Sequence, residues 1–365
     1  NYNTVVGDEA GTAITTGDAN VAIGFRTLDA NTTGANNTAV GLAALGANTS
    51  AANNTALGYS ALTANTTGAS NIAIGVEALD ANTAGNRTIA IGQAAFGALN
   101  HTSSTNNYGV AIGHNAGLSV TTGTINTLIG GLAGDAITTG NSNIALGYQA
   151  LSADTTGDRS TALGFQTLAN QNFTSNTDTY NTAVGYNAGV NVTTGLENTL
   201  IGGEAGDALT DADFNVAVGR QALSADTLGS RSVAIGWGAL RFQNFTSAAS
   251  TYNTAVGMNA GTSITTGTQN ALIGGLAGDA LTDADSNVAM GHSSLSTDTL
   301  GSRSVAIGAS ALEAQNFTSA TNTYNVAVGT LAGAAVTTGI NNTLIGGIAG
   351  DAITTASSNT ALGYF

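Results

Sequence analysis

A five-residue run of the form Asn-Thr-Ala-Val-Gly returns along the whole chain, and its spacing restricts the fold more than any other feature. The closing glycines run from Gly7, Gly24, Gly41, Gly58, Gly75 and Gly92 through to Gly329, Gly346 and Gly363, 21 in all. Sixteen of the twenty spacings are 17 residues and four are 21. From Gly92 on, the long spacing recurs every fourth coil and makes a 72-residue super-repeat, so that 181–252 and 253–324 are near copies. A 17-residue period is too short for a pair of helices with their turns, which takes roughly 33–47 residues. It fits one turn of a parallel β-solenoid. β-Branched residues cluster in the run, as in Asn71-Ile72-Ala73-Ile74-Gly75, and Thr66-Thr67-Gly68 reads as a tight turn whose glycine takes positive φ. The expected fold is all-β: a parallel β-solenoid, or β-roll, of 21 coils with no helix beyond a turn. It is one repetitive segment over 1–365, plain over 1–92 and built of super-repeats over 93–365. Starting and stopping inside a repeat, the segment is expected to be a piece of a longer chain.

Counting from the core glycine as position 0, positions −1 and −3 carry Val, Ile, Leu or Thr and share one strand face. Position −2 is Ala in sixteen of the 21 coils and points the other way. A second chain is expected to approach that small-residue face. Positions +4 and +7 trade bulk. Leucine at +4 goes with a polar +7 residue, as in Leu45/Asn48 and Leu223/Asp226; glycine at +4 goes with an aliphatic one, as in Gly134/Ile137 and Gly206/Leu209. Close packing conserves volume, so the two positions are expected to fill one core space, and Asp226→Val to recover part of the loss in Leu223→Gly. So narrow a coil buries little apolar surface alone, and lateral self-association is the expected remedy.

Composition removes several function classes. Charged residues are 8% of the chain against roughly 25% in a globular domain, while 42% is hydrophobic, the reverse of a disordered chain's balance. The seven basic residues are all arginine, and the net charge of −15 gives nothing to neutralise a row of phosphates, so no nucleic-acid partner is expected. No stretch approaches the ~20 apolar residues of a membrane span. With no cysteine there is no disulfide framework.

The core as it stands in Ser232-Val233-Ala234-Ile235-Gly236 and Asn37-Thr38-Ala39-Val40-Gly41 resembles the head repeats of trimeric autotransporter adhesins. Similar runs occur in phage tail fibres and related virion fibres. The resemblance covers essentially the whole chain. It implies a left-handed parallel β-roll, three chains around one axis, an extracellular place on a cell surface or virion fibre, and attachment to a surface through a glycan or protein receptor. The adhesin repeat is shorter, however, and the regular 21-residue coil is foreign to it.

Catalysis has little to work with. His101, His114 and His292 read as scattered surface residues, and the Gly-Gly-x-Ala-Gly-Asp run at Gly130, Gly202, Gly274 and Gly346 lacks the Lys and Ser/Thr of a phosphate loop. Neither an enzyme nor a cofactor is expected. Calcium is the one ion the pattern admits, through Asp207, Asp211 and Asp213 and their counterparts Asp279, Asp283 and Asp285. Asp154/Arg159, Asp226/Arg231 and Asp298/Arg303 read as solvated turn pairs.

The four enlarged coils are more informative. Each adds four residues before a tyrosine, from Leu99 to Tyr108, Phe173 to Tyr180, Phe245 to Tyr252 and Phe317 to Tyr324. Their aromatics either pack on the shaft or a neighbouring chain, or form a protruding strip that meets a ligand. Trp237, at the variable +1 position, is a further contact candidate. The functional expectation is a structural fibre segment mediating surface attachment. An ice-binding solenoid and a filament with no ligand are the alternatives.

Overall fold

The computed structural model describes residues 2–364, and its contacts divide the chain into two compact units, Asn1–Asn181 and Thr182–Phe365. Both are parallel β-solenoids. Every coil contributes one three-residue strand ending just before its core glycine, ten in the first unit and eleven in the second, and no helix occurs among the described residues. Strands stack in register from coil to coil. In the first unit Thr38, Ala39 and Val40 pair with Thr55, Ala56 and Leu57; in the second Thr199, Leu200 and Ile201 pair with Val216, Ala217 and Val218. Each step is one repeat, which is why the period decides the fold.

The coil closes through backbone bends that the sequence conceals. In the coil of Gly58, positive φ occurs at Asn53 (63°), Gly58 (136°), Ser60 (53°) and Leu62 (53°), and the same four positions recur along the chain. Left-handed backbone costs an ordinary residue about 1–2 kcal/mol, so three of the four bends are held by the ladder against local preference. The Thr-Thr-Gly glycines are not among them. Gly68 is needed for closeness instead, since a Cβ there would lie 2.3 Å from the Gly85 carbonyl oxygen and 2.4 Å from Asn65 Oδ1. The first threonine of the pair works along the stack, Thr66 Oγ1 donating to the Thr83 carbonyl at 3.1 Å.

The interior overturns one expectation. The −2 alanines (Ala39, Ala56, Ala73, Ala90 and their equivalents) are fully buried inside the coil and do not face another chain. So narrow a coil accepts only alanine there once leucine at +4 fills the middle, as Leu45, Leu62 and Leu79 do with no exposed surface. The bulk exchange is real. A Cβ on Gly134 would meet Ile137 Cδ1 at 2.8 Å and Leu128 Cδ2 at 2.8 Å, and one on Gly206 would meet Leu209 Cδ1 at 2.9 Å.

Besides a further column of buried alanines at +3, such as Ala44, Ala61 and Ala78, much of the rest of the core is polar. Asparagine at −4 points inward and stitches coils together: Asn37 N donates to Asn20 Oδ1 at 2.9 Å, Asn54 N to Asn37 Oδ1 at 3.0 Å and Asn71 N to Asn54 Oδ1 at 2.9 Å. A second ladder runs through +7, Asn48 Nδ2 donating to Asn31 Oδ1 at 2.9 Å and Asn65 Nδ2 to Asn48 Oδ1 at 3.1 Å. An amide carries donor and acceptor at once, so stacked asparagines satisfy one another in a core too thin to exclude polar groups.

Candidate functional site

With alanine inside, the β-branched face of every strand lies outside. Ile23, Leu57, Ile144 and Leu146 in the first unit and Ile201, Ile235, Ile273 and Met290 in the second are all more than a third exposed. The +1 residue continues the same face past the glycine, where Phe25, Leu42, Tyr59, Val76, Tyr148 and Phe165, then Tyr186, Trp237 and Met258, are exposed as well. Tyr148 stacks on Phe165 of the next coil with ring centroids 5.6 Å apart. Each unit thus presents an outward −1 column of Val, Ile, Leu or Met. It is flanked by a −3 column that is threonine in ten of the 21 coils, and by a +1 column that mixes aromatic and aliphatic side chains with Gly and polar residues such as Asp8, Gln93 and Arg220. Trp237 belongs to this face. His114 and His292 also stand in its +1 column, both exposed, so they share one repeat position; His101 is buried, and burial lowers its pKa.

The enlarged coils build a different surface. Their four extra residues add a short strand that pairs with the coil before, Gly85–Asn86 with Thr105–Asn106 and Gly157–Asp158 with Thr177–Asp178 in the first unit. The second unit repeats this with Gly229–Ser230 and Ala249–Ser250, then Gly301–Ser302 and Thr321–Asn322. The aromatics at each insertion separate. Phe173, Phe245 and Phe317 are buried against the shaft, whereas Tyr108, Tyr180, Tyr252 and Tyr324 are 51–56% exposed.

Burial of the phenylalanines comes with a polar network the sequence had hidden. Asp154, Asp226 and Asp298 are fully buried and are not solvated partners of the arginines five residues on. Asp226 takes the place of a ladder asparagine and accepts hydrogen bonds from Gly229 N at 3.0 Å, Gln243 Nε2 at 2.5 Å and Phe245 N at 3.0 Å. Gln243 in turn donates to Ser232 Oγ at 2.8 Å and accepts from Asn253 Nδ2 at 2.8 Å. Three donors converge where only a carboxylate has acceptors enough. The same set recurs around Asp154 and Asp298. It is missing from the first enlarged coil, which has Asn82 and Leu99 at those positions.

The six candidate calcium aspartates do not converge. Asp211 Oδ1 accepts from Thr194 Oγ1 at 2.6 Å and Asp213 Oδ1 from Leu196 N at 2.8 Å; Asp283 and Asp285 make the equivalent bonds to Thr266 and Thr268. Asp207 and Asp279 instead keep a buried Oδ1 without a hydrogen-bond partner, as Asp135 does. Among the described residues no three metal-ligating side chains gather.

Burial raises the pKa of Asp80, Asp135, Asp154 and Asp279, and carries Asp207 to about 6, the Glu204 charge adding to the effect. Among the described residues Asp18, fully exposed and bonded to backbone amides, is the one carboxyl with a resolved downward shift, and it and the buried His101 act in the opposite direction to these five. A carboxyl raised in the fold binds its proton more tightly there than when unfolded. Stability is therefore gained as pH falls from near 7 through about 6 toward the ordinary value of 3.8, and protonation also relieves the net charge of −15. The melting temperature at pH 4.5 is expected to exceed that at pH 7.5, and Asp207→Asn to flatten part of the slope. A melting temperature that falls monotonically on acidification would refute this.

No protein-family model matches the chain, and no curated protein is significantly similar to it. What the structure shows of the resemblance is its coarser part, a parallel β-solenoid. No helix is long and apolar enough to cross a membrane among the described residues.

Proposed function

We propose that the chain is a structural segment of an extracellular fibre, assembled laterally from three parallel copies and serving surface attachment without catalysis. The observation that carries this reading is the unbroken outward column of Val, Ile, Leu and Met at −1 with the aromatic and aliphatic residues beside it, because soluble single chains rarely leave a contiguous apolar patch larger than a few hundred Å² uncovered. Four residues along the strand by one coil is roughly 60 Å². Eleven coils of this mixed apolar and threonine-bearing strip offer roughly 700 Å² of footprint, close to the roughly 800 Å² per partner of a stable interface. The matching strand position in all copies suits a parallel arrangement around a common axis.

Light scattering tests it. A particle of three 35.7-kDa chains is expected. Because Ile235 and Trp237 point outward, Ile235→Asp with Trp237→Asp should weaken the assembly while leaving each chain folded. A parent chain that stays monomeric at every concentration would remove the reading.

A further inference from the structure

Four of the seven arginines, Arg87, Arg159, Arg231 and Arg303, sit at one repeat position, each in the coil just before an enlarged one. Three lie over the exposed tyrosine of the enlarged coil, Arg87 over Tyr108, Arg159 over Tyr180 and Arg303 over Tyr324, each 5.7 Å from the ring centroid. Arg231 turns to Phe214 instead, at 5.1 Å, and donates to Ser250 Oγ at 2.5 Å. Beside Arg87 an open cleft of about 310 Å³ is lined by Ala69, Ser70, Asn86, Arg87, Ser104 and Asn106. Its walls are hydroxyls, amides and one guanidinium, which lies over Tyr108. Arg87 Nη1 reaches Tyr108 Oη at 3.3 Å and Arg303 Nη1 reaches Tyr324 Oη at 2.7 Å, so the stacked pair is pre-organised.

Charge separates the notches. Arg159 is ion-paired to Asp178, but among the described residues no carboxylate is paired with Arg87, Arg231 or Arg303. Of these three, the Arg87 notch has no acidic wall: where it has Ala69, Arg231 and Arg303 stand beside Asp213 and Asp285. We propose that the Arg87 notch binds the carboxylate of an acidic saccharide, the guanidinium taking the carboxylate, the amides and hydroxyls the ring hydroxyls, and Tyr108 the apolar ring face.

This ligand class rests on the attachment reading, and the two fail separately if particle size is measured on the same samples. Binding of oligogalacturonate and of sialyllactose would be titrated against their methyl-ester forms. Both acids should bind, the esters about tenfold or more weaker, and the acid preference should fade with salt. Arg87→Gln should lose acid binding with unchanged particle size and melting temperature, since the side chain is on the surface. Arg159→Gln, which removes an arginine already paired with Asp178, should change little. Silence of the parent chain toward both acids, equal affinity for the esters, or an Arg87→Gln variant that binds like the parent would overturn the assignment, whatever the particle size.

Discussion

Gly58→Ala is expected to unfold the coils around it, with a loss of more than about 4 kcal/mol. Two costs combine. The backbone there has φ 136°, a region ordinary residues scarcely enter, and the added methyl would lie 2.5 Å from the Gly75 carbonyl oxygen. The carbonyl cannot move aside, because it belongs to a column in which each core glycine stacks on the next: Gly41 would meet Gly58 O at 2.4 Å and Gly75 would meet Gly92 O at 2.5 Å. Relief at one coil is a clash at its neighbour. The control is Gly203→Ala, where an added Cβ finds nothing within 4 Å and the change should stay within about 0.5 kcal/mol. Thermal melts of the two variants check this. If Gly58→Ala melts with Gly203→Ala, the core glycines are not what spaces the coils.

That column explains why the architecture was legible. A glycine demanded by both φ and contact cannot drift, so the period survives while other positions vary. What faces inward was harder to read. A three-residue strand with two large apolar residues around an alanine suggests the large face is buried, yet Ile72 and Ile74 flank a fully buried Ala73. The deciding residue lies elsewhere, at Leu79, which fills the coil from its far side. Asparagine gives no sequence signal of its role either. Asn37 and Asn54 look like turn residues, and only stacking shows that each side chain serves the coil beside it. Leucine in left-handed backbone, as at Leu62 and Leu79, defies local propensity altogether. At the enlarged coils the spacing located the special sites but could not sort Phe173 from Tyr180, one buried and one exposed, because both are aromatic and seven residues apart. The network around Asp226 was hidden for a related reason: an aspartate beside a glycine and an arginine reads as a solvated turn until Gln243 is brought over it.

The same network reverses the expected outcome of a compensating double substitution. Leu62→Gly should cost about 2–3 kcal/mol: the cavity left by a fully buried leucine is the larger effect, and glycine's comfort at φ 53° offsets part of it. Adding Asn65→Ile should restore some of that loss. Ile137 beside Gly134 shows the packing. Asn65 gives up its bond to Asn48 Oδ1 at 3.1 Å, which keeps the rescue partial, while its own buried Oδ1 has no partner to lose and the Gly68 carbonyl keeps Asn54 Nδ2 at 2.9 Å. Leu223→Gly should cost a similar amount, but there Asp226→Val is expected to add a further loss of about 1–3 kcal/mol. Valine fills space but strips Gly229 N, Gln243 Nε2 and Phe245 N of their shared acceptor in a site water does not reach. Urea midpoints of both single and both double variants decide the matter. Rescue at Leu62/Asn65 with further loss at Leu223/Asp226 is the expected pattern. Rescue at both would mean that the carboxylate does not organise the enlarged coil, and rescue at neither would mean that positions +4 and +7 do not share one space.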